Sequence, residues 1–214
     1  MSPQSAEDQT REQIAVLSKS LFERGYSCGS SGNISVKVDD GLLVTPTNSC
    51  MGRLDPARIS KIGFDGTHIS GDKPSKELFL HLAVLDEQPK MTAVAHLHSP
   101  YAVAVSCMGD LDPEDVFPPI TAYHVMRVGT CPLVPYYPPG DMSLADGVRK
   151  VARHAHAMLL ANHGPVVAGP SLEGAVYAAE ELEETAKLLI MLRGSKTAFL
   201  TPAQVADLHV RFPG

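Results

Sequence analysis

Apolar positions at Ile14, Leu17, Leu21 and Phe22 recur at the helical period between Ser5 and Gly25, and predict an amphipathic helix that Gly25 ends. After the small-residue loop Ser27 to Gly32 the period shortens to two. Ile34-Ser35-Val36-Lys37-Val38 and Leu42-Leu43-Val44-Thr45 read as strands joined by a turn at Asp39-Asp40-Gly41. Ile59 to Ser70 predicts a second pair of short strands around Asp65-Gly66. Pro74-Ser75 opens a helix through Lys76 to Asp86, with Leu78, Leu82 and Leu85 on one face and Ser75 as N-cap. Thr92-Ala93-Val94-Ala95 begins a buried strand, followed by a helix around Tyr101 to Met108. Between Pro113 and Gly140 proline and glycine interrupt the pattern, leaving strands near Tyr123 to Arg127 and Pro132 to Pro135. A helix from about Ser143 to Ala155 precedes the strand Ala157 to Ala161, and Pro165 to Gly169 continues the extended run. Ser171 to Arg193 is the strongest helical pattern, with Glu180, Glu181, Glu183 and Glu184 read mostly as its solvated face. These elements predict an α/β sandwich with a largely antiparallel central sheet, in one domain over residues 1–214.

Composition narrows the classes of function. A formal charge of −6 leaves no basic footprint, so no nucleic-acid partner is expected. The same charge does not exclude a phosphorylated substrate, because a metal and a few oriented donors reverse the local field. Cys28, Cys50, Cys107 and Cys131 lie far apart and form no metal-binding or redox pair, which suits a reducing compartment. The polar, acidic start Met1 to Asp8 resembles neither a signal nor a transit peptide, and no apolar run approaches the ~20 residues that span a bilayer. A cytoplasmic protein without a membrane partner is expected.

The candidate chemistry begins at His96-Leu97-His98. Alternate strand residues share a face, so the two imidazoles aim at one point while Leu97 turns into the core. Two neutral imidazoles are half of a tetrahedral zinc site; taken alone, the pair fits a structural role equally well. His163, at a strand end before a glycine, is the third candidate, with a turn histidine as the competing reading. Glu77, in the first turn of its helix, is either the fourth group or a carboxylate favoured by the helix dipole. His81, one turn later, is a supporting or a merely packed residue, and His124 stays ambiguous. His68, His154, His156 and His209 read as surface residues.

The chain resembles the class II aldolase/adducin family over nearly its whole length. The resemblance rests on Ser31-Gly32-Asn33-Ile34-Ser35, Thr45-Pro46-Thr47, Pro74-Ser75-Lys76-Glu77, His96-Leu97-His98, Asn162-His163-Gly164 and the closing glutamate-rich helix. It implies a three-layer α/β/α fold, and zinc (with Mn2+ or Co2+ as substitutes) bound by Glu77, His96, His98 and His163. It further implies proton transfer by Glu77, no organic cofactor, and a homotetramer with its sites at subunit interfaces. Gly32, Asn33, Thr47 and Ser75 match phosphate-binding positions, where small residues, hydroxyls and a helix N-terminus suit an anion.

Two positions depart from the aldolases of this family: Asn48 stands where they carry glycine, and Lys76 where they carry a second serine. Gly71 to Glu77, Val125-Met126-Arg127, Val134 to Asp141 and Glu180 to Lys187 are more similar to the branch that decarboxylates 3-oxo-tetronate 4-phosphate. That resemblance implies a small phosphorylated sugar acid as substrate, losing CO2 to leave the enediolate of dihydroxyacetone phosphate. Lys76 would hold the carboxylate or the phosphate, and Asn48 would line the phosphate site. Tyr123 is a candidate proton donor, although a tyrosine in a strand is more often packed; Arg127 reaches an anion or pairs with an acidic neighbour. The competing expectations are a sugar-phosphate aldolase or 4-epimerase on the same scaffold, and a metal-free interaction module of the adducin kind.

Overall fold

A computed structural model describes residues 5–138 and 140–212. Met1 to Gln4 of the acidic start, and Pro139 of the Val134 to Asp141 signature, lie outside the described residues. The elements in order are α1 (Ala6–Glu23), β1 (Asn33–Val38), β2 (Gly41–Val44), β3 (Ser60–Ile62), β4 (His68–Ser70), α2 (Leu78–Glu87), β5 (Ala93–His96), α3 (Pro100–Ser106) and α4 (Ala122–Arg127). There follow β6 (Leu133–Val134), α5 (Ser143–Ala152), β7 (Ala157–Leu160), β8 (Gly164–Gly169), α6 (Leu172–Leu192) and α7 (Pro202–Arg211). Two short 3-10 turns, Met51–Arg53 and Pro56–Arg58, lie between β2 and β3.

The eight strands form one sheet in the order β4-β3-β2-β1-β5-β8-β7-β6. Every neighbouring pair is antiparallel except β6 with β7. Side-chain alternation explains the layers. On β5, Ala93 and Ala95, with Leu97 just beyond, pack with Ile14 and Leu21 of α1, Val105 of α3 and Leu182 of α6. Val94 points the other way, toward Leu80 and Val84 of α2 and Val148 of α5. Leu159 and Val167 join the first layer, and Met158, Leu160 and Val166 the second. The sheet is therefore covered on both faces, a three-layer α/β/α sandwich with a largely antiparallel centre.

Three expectations need correction. Tyr123 to Arg127 is helix α4 rather than a strand: the Thr121 side chain accepts the His124 N–H at 3.0 Å as an N-cap, and consecutive His124 and Val125 are both buried. Ser75 does not cap α2. Its hydroxyl accepts the Glu77 N–H at 3.2 Å in a local turn, which makes Glu77 the residue at the cap position. Glu183 is not part of a solvated face. It is 4% exposed, and its carboxylate accepts the N–H groups of Tyr101 at 2.9 Å and Ala102 at 2.7 Å. Those are unsatisfied donors at the start of α3, the helix that directly follows His98. The α7 helix, begun by a Thr201/Gln204 capping box, was not anticipated, because it buries none of its residues.

Two stability predictions follow from these buried groups. Glu183→Gln leaves one of the two N–H donors facing an amide NH2, and should destabilise the fold by about 2–3 kcal/mol in urea titrations. His124 packs edge-on against Phe117, and burial pushes its pKa down to about 4. In the unfolded chain it protonates near 6.5, so the unfolded state binds more protons between those values. His124 should therefore cost nothing above about pH 6.5 and about 3 kcal/mol by pH 4. The pH dependence of stability over that window should flatten in His124→Phe.

Candidate metal centre and active site

The β5 strand ends at the mouth of the sheet, and His96 and His98 project from its last turn of backbone. His163 comes from the β7–β8 connection, where Asn162 adopts a left-handed φ of 57°. Gly164 follows it, and a side chain there would bring a Cβ to 2.4 Å from the Leu97 carbonyl. Glycine is thus required for the β7–β8 turn to lie against the His-Leu-His segment. Glu77 reaches the same point from the start of α2.

The four groups offer ligand atoms that all lie within 4.8 Å of one another. The three imidazole rings have centroids 4.8–5.0 Å apart and planes inclined at 64–84°, so they converge without stacking. Glu77 Oε2 lies 3.5 Å from His96 Nε2, and Oε1 lies 3.4 Å from His163 Nε2. Ligands on tetrahedral bonds of ~2.1 Å are separated by about 3.4 Å, so these spacings suit a metal.

Protonation gives an independent test of that fit. His96 Nδ1 donates to the Pro165 carbonyl at 2.9 Å, which leaves Nε2 as a lone-pair donor. That Nε2 is buried and has no hydrogen-bond partner. Burial holds the ring neutral, with its pKa pushed down to about 3, and burial also lowers that of His98. Burial works against the charge on Glu77, but the facing His163 and His96 and the Asn33 amide outweigh it and hold the carboxyl below the ordinary range. A carboxylate and three imidazoles therefore converge on one point, and the donor set suits a divalent cation.

This cluster opens onto a cavity of about 640 Å3. Gly32, Asn33, Thr47, Asn48, Ser75 and Lys76, the six positions singled out for anion binding, all line it together with Glu77, His98 and His163. Asn48 has a left-handed φ of 55°, a conformation that asparagine tolerates better than other residues with a side chain. Asn33 is committed in part to Glu77, since its Nδ2 donates to Oε2 at 2.7 Å. Tyr123 is not brought to the cavity of its own chain. It is 58% exposed on α4, with the Arg127 guanidinium 5.6 Å from its ring centre.

Sequence reasoning underrated what supports Glu77. His81 bonds both Ser35 and Asn33 from a fully buried position. Its four-residue spacing from Glu77 was the available signal; its partners on β1 were not readable without the sheet register.

Comparison with known proteins agrees with this geometry. The family model described as the class II aldolase and adducin N-terminal domain matches residues 12–190. The chain is 50% identical over 205 residues to 3-oxo-tetronate 4-phosphate decarboxylase of Pectobacterium atrosepticum, a match covering 95% of this chain and 94% of that protein. It is 33% identical over 181 residues to L-fuculose phosphate aldolase of Methanocaldococcus jannaschii, covering 85% and 96% of the two chains. Among solved structures, YgbL from Escherichia coli superposes with a TM-score of 0.93 at 48% identity, over 95% of this chain and 99% of that one. The chain belongs to the class II aldolase/adducin family.

Proposed function

We propose that this protein is a metal-dependent carboxy-lyase that converts 3-oxo-tetronate 4-phosphate to dihydroxyacetone phosphate and CO2. The observation that carries this reading is the shared cavity, which sets Lys76 and a small-residue anion cradle beside the carboxylate–imidazole cluster. The half-identity to a decarboxylase of that name, over nearly the full length, supports it. We take the resident metal to be zinc, which Mn2+ or Co2+ can replace, because three imidazoles select weakly among these ions. The working form in this reading is a cytoplasmic homotetramer of single-domain chains.

Glu77, His96, His98 and His163 would hold the cation, whose positive charge stabilises the negative charge that builds on oxygen as CO2 leaves. The bond between carbons 1 and 2 breaks, its electron pair stays with the remaining three carbons, and carbon 2 takes up a proton. The proton consumed comes from solvent: Glu77, ionised at rest, would take it up and pass it to carbon 2, in reach of the cavity and oriented by Asn33. Gly32, Thr47, Asn48 and Ser75 hold the phosphate, with the second N–H of the Asn33 amide available to it. Lys76 adds a point charge for the carboxylate or the phosphate. Tyr123 does not line the cavity of its own chain, so a role for it as proton donor requires a neighbouring subunit.

Replacing His96 by alanine should strip the metal and abolish turnover; full metal content in that variant would remove His96 from the site. Glu77→Gln should retain much of the metal and lose ~10²–10⁴-fold in kcat, because an amide cannot shuttle a proton. Near-normal turnover would refute its role.

The zinc-loaded protein should release CO2 from 3-oxo-tetronate 4-phosphate of either the L or the D series, and cleave fuculose 1-phosphate poorly. Lys76→Ser should weaken decarboxylation by about 1.5–3 kcal/mol through loss of a charge-assisted contact. An aldehyde product from a ketose 1-phosphate, with no CO2 from either acid, would establish the aldolase reading instead. Absence of bound metal, with no rescue by added divalent ions, would leave the interaction module.

A further inference from the structure

His81 is fully buried on α2, and the reaction as written gives it no part. Its ring bridges two residues of β1. Nδ1 lies 2.7 Å from the Ser35 hydroxyl oxygen, and Nε2 is hydrogen-bonded to Asn33 Oδ1. Asn33 in turn donates from Nδ2 to Glu77 Oε2 at 2.7 Å.

The direction of every bond in this chain is fixed by its last member. A carboxylate accepts and cannot donate, so Asn33 must turn its NH2 toward Glu77 and its carbonyl oxygen toward His81. That oxygen also only accepts, so the proton of the neutral His81 ring sits on Nε2. Nδ1 is then a bare lone pair, and the Ser35 hydroxyl must donate to it. Burial keeps the ring neutral, with its pKa pushed down to about 4.

We infer that Ser35, His81 and Asn33 form a one-way donor chain that fixes the orientation of the Glu77 carboxylate. Asn33 engages Oε2, the oxygen that faces the fully buried His96. Oε1 faces His163, which lines the cavity. His81 is thus a positioning residue: it holds the asparagine amide against rotation. This inference rests on the proposed role of Glu77 in passing the proton to carbon 2.

The test has one arm that does not depend on turnover. Ring 15N spectra of the zinc-loaded protein at neutral pH should show His81 protonated on Nε2 and bare on Nδ1. A proton on Nδ1 would overturn the chain, whatever the enzyme does. In Ser35→Ala the proton should stay on Nε2, held there by Asn33, while the bare Nδ1 resonance shifts on loss of its donor; an unmoved Nδ1 resonance would remove Ser35 from the chain.

The second arm is kinetic. His81→Met, close in volume but without a donor, should lower kcat by ~10–100-fold with KM and metal content near those of the parent. His81→Gln, whose amide NH2 falls near the position of Nε2, should regain most of the rate. Parent-like kcat in His81→Met, or equal losses in both variants accompanied by loss of metal, would reduce His81 to a packing residue. If the parent protein releases no CO2, the functional reading fails while the tautomer still decides the chain.

Discussion

Four groups with metal-ligating atoms face one point, and the end of the sheet where β5 stops is organised around holding them there. Glu77, His96, His98 and His163 come from three separate stretches of chain, and all but His98 are restrained from behind by a feature already described. The Pro165 carbonyl fixes one imidazole, a glycine-permitted turn carries another, and an asparagine holds the carboxylate. Their convergence is a property of the surrounding fold and is maintained by it. Packing on both faces of the sheet supplies the rigidity that the constraint demands.

The carboxylates of this chain divide by how each is satisfied. Glu183 is buried and neutralises helix amides, so it stiffens the connection between His98 and α3. Glu77 is half-buried and shares its oxygens between an amide and two imidazoles, so it retains the capacity to exchange a proton. The same functional group is satisfied by helix amides in one place and faces imidazoles in the other, and its partners set its character.

Much of this was legible in the residues. The alternation of Thr92 to His98 gave the β5 strand, and the periodicity of Ser171 to Arg193 gave α6, because both segments bury a regular face against neighbours. The convergence of His96, His98 and His163 was readable from a two-residue spacing and from a strand end. The segment around Tyr123 misled for a physical reason: six residues are too few for periodicity to separate helix from strand, and the Thr121 cap decided the outcome. Glu183 was misread because four glutamates in five residues resemble a solvated face, and the amides of α3 that receive it lie far away in sequence. The Ser35–His81 contact likewise joins a strand to a helix, and sequence spacing carries no information about it.

The Pro165 carbonyl does two jobs at once. It accepts the Leu97 N–H at 3.2 Å as part of the contact between β5 and β8, and it accepts the His96 Nδ1 proton at 2.9 Å. A carbonyl has two lone pairs, so both bonds coexist, but both vanish together if β8 slides by one residue. The tautomer of a ligand is therefore written into the register of the sheet. Whatever frays the β5–β8 seam disturbs the His96 ring, and a cation held there would in turn resist shear of the two strands, so that affinity for a metal and mechanical integrity of the sheet's centre would be one linked quantity.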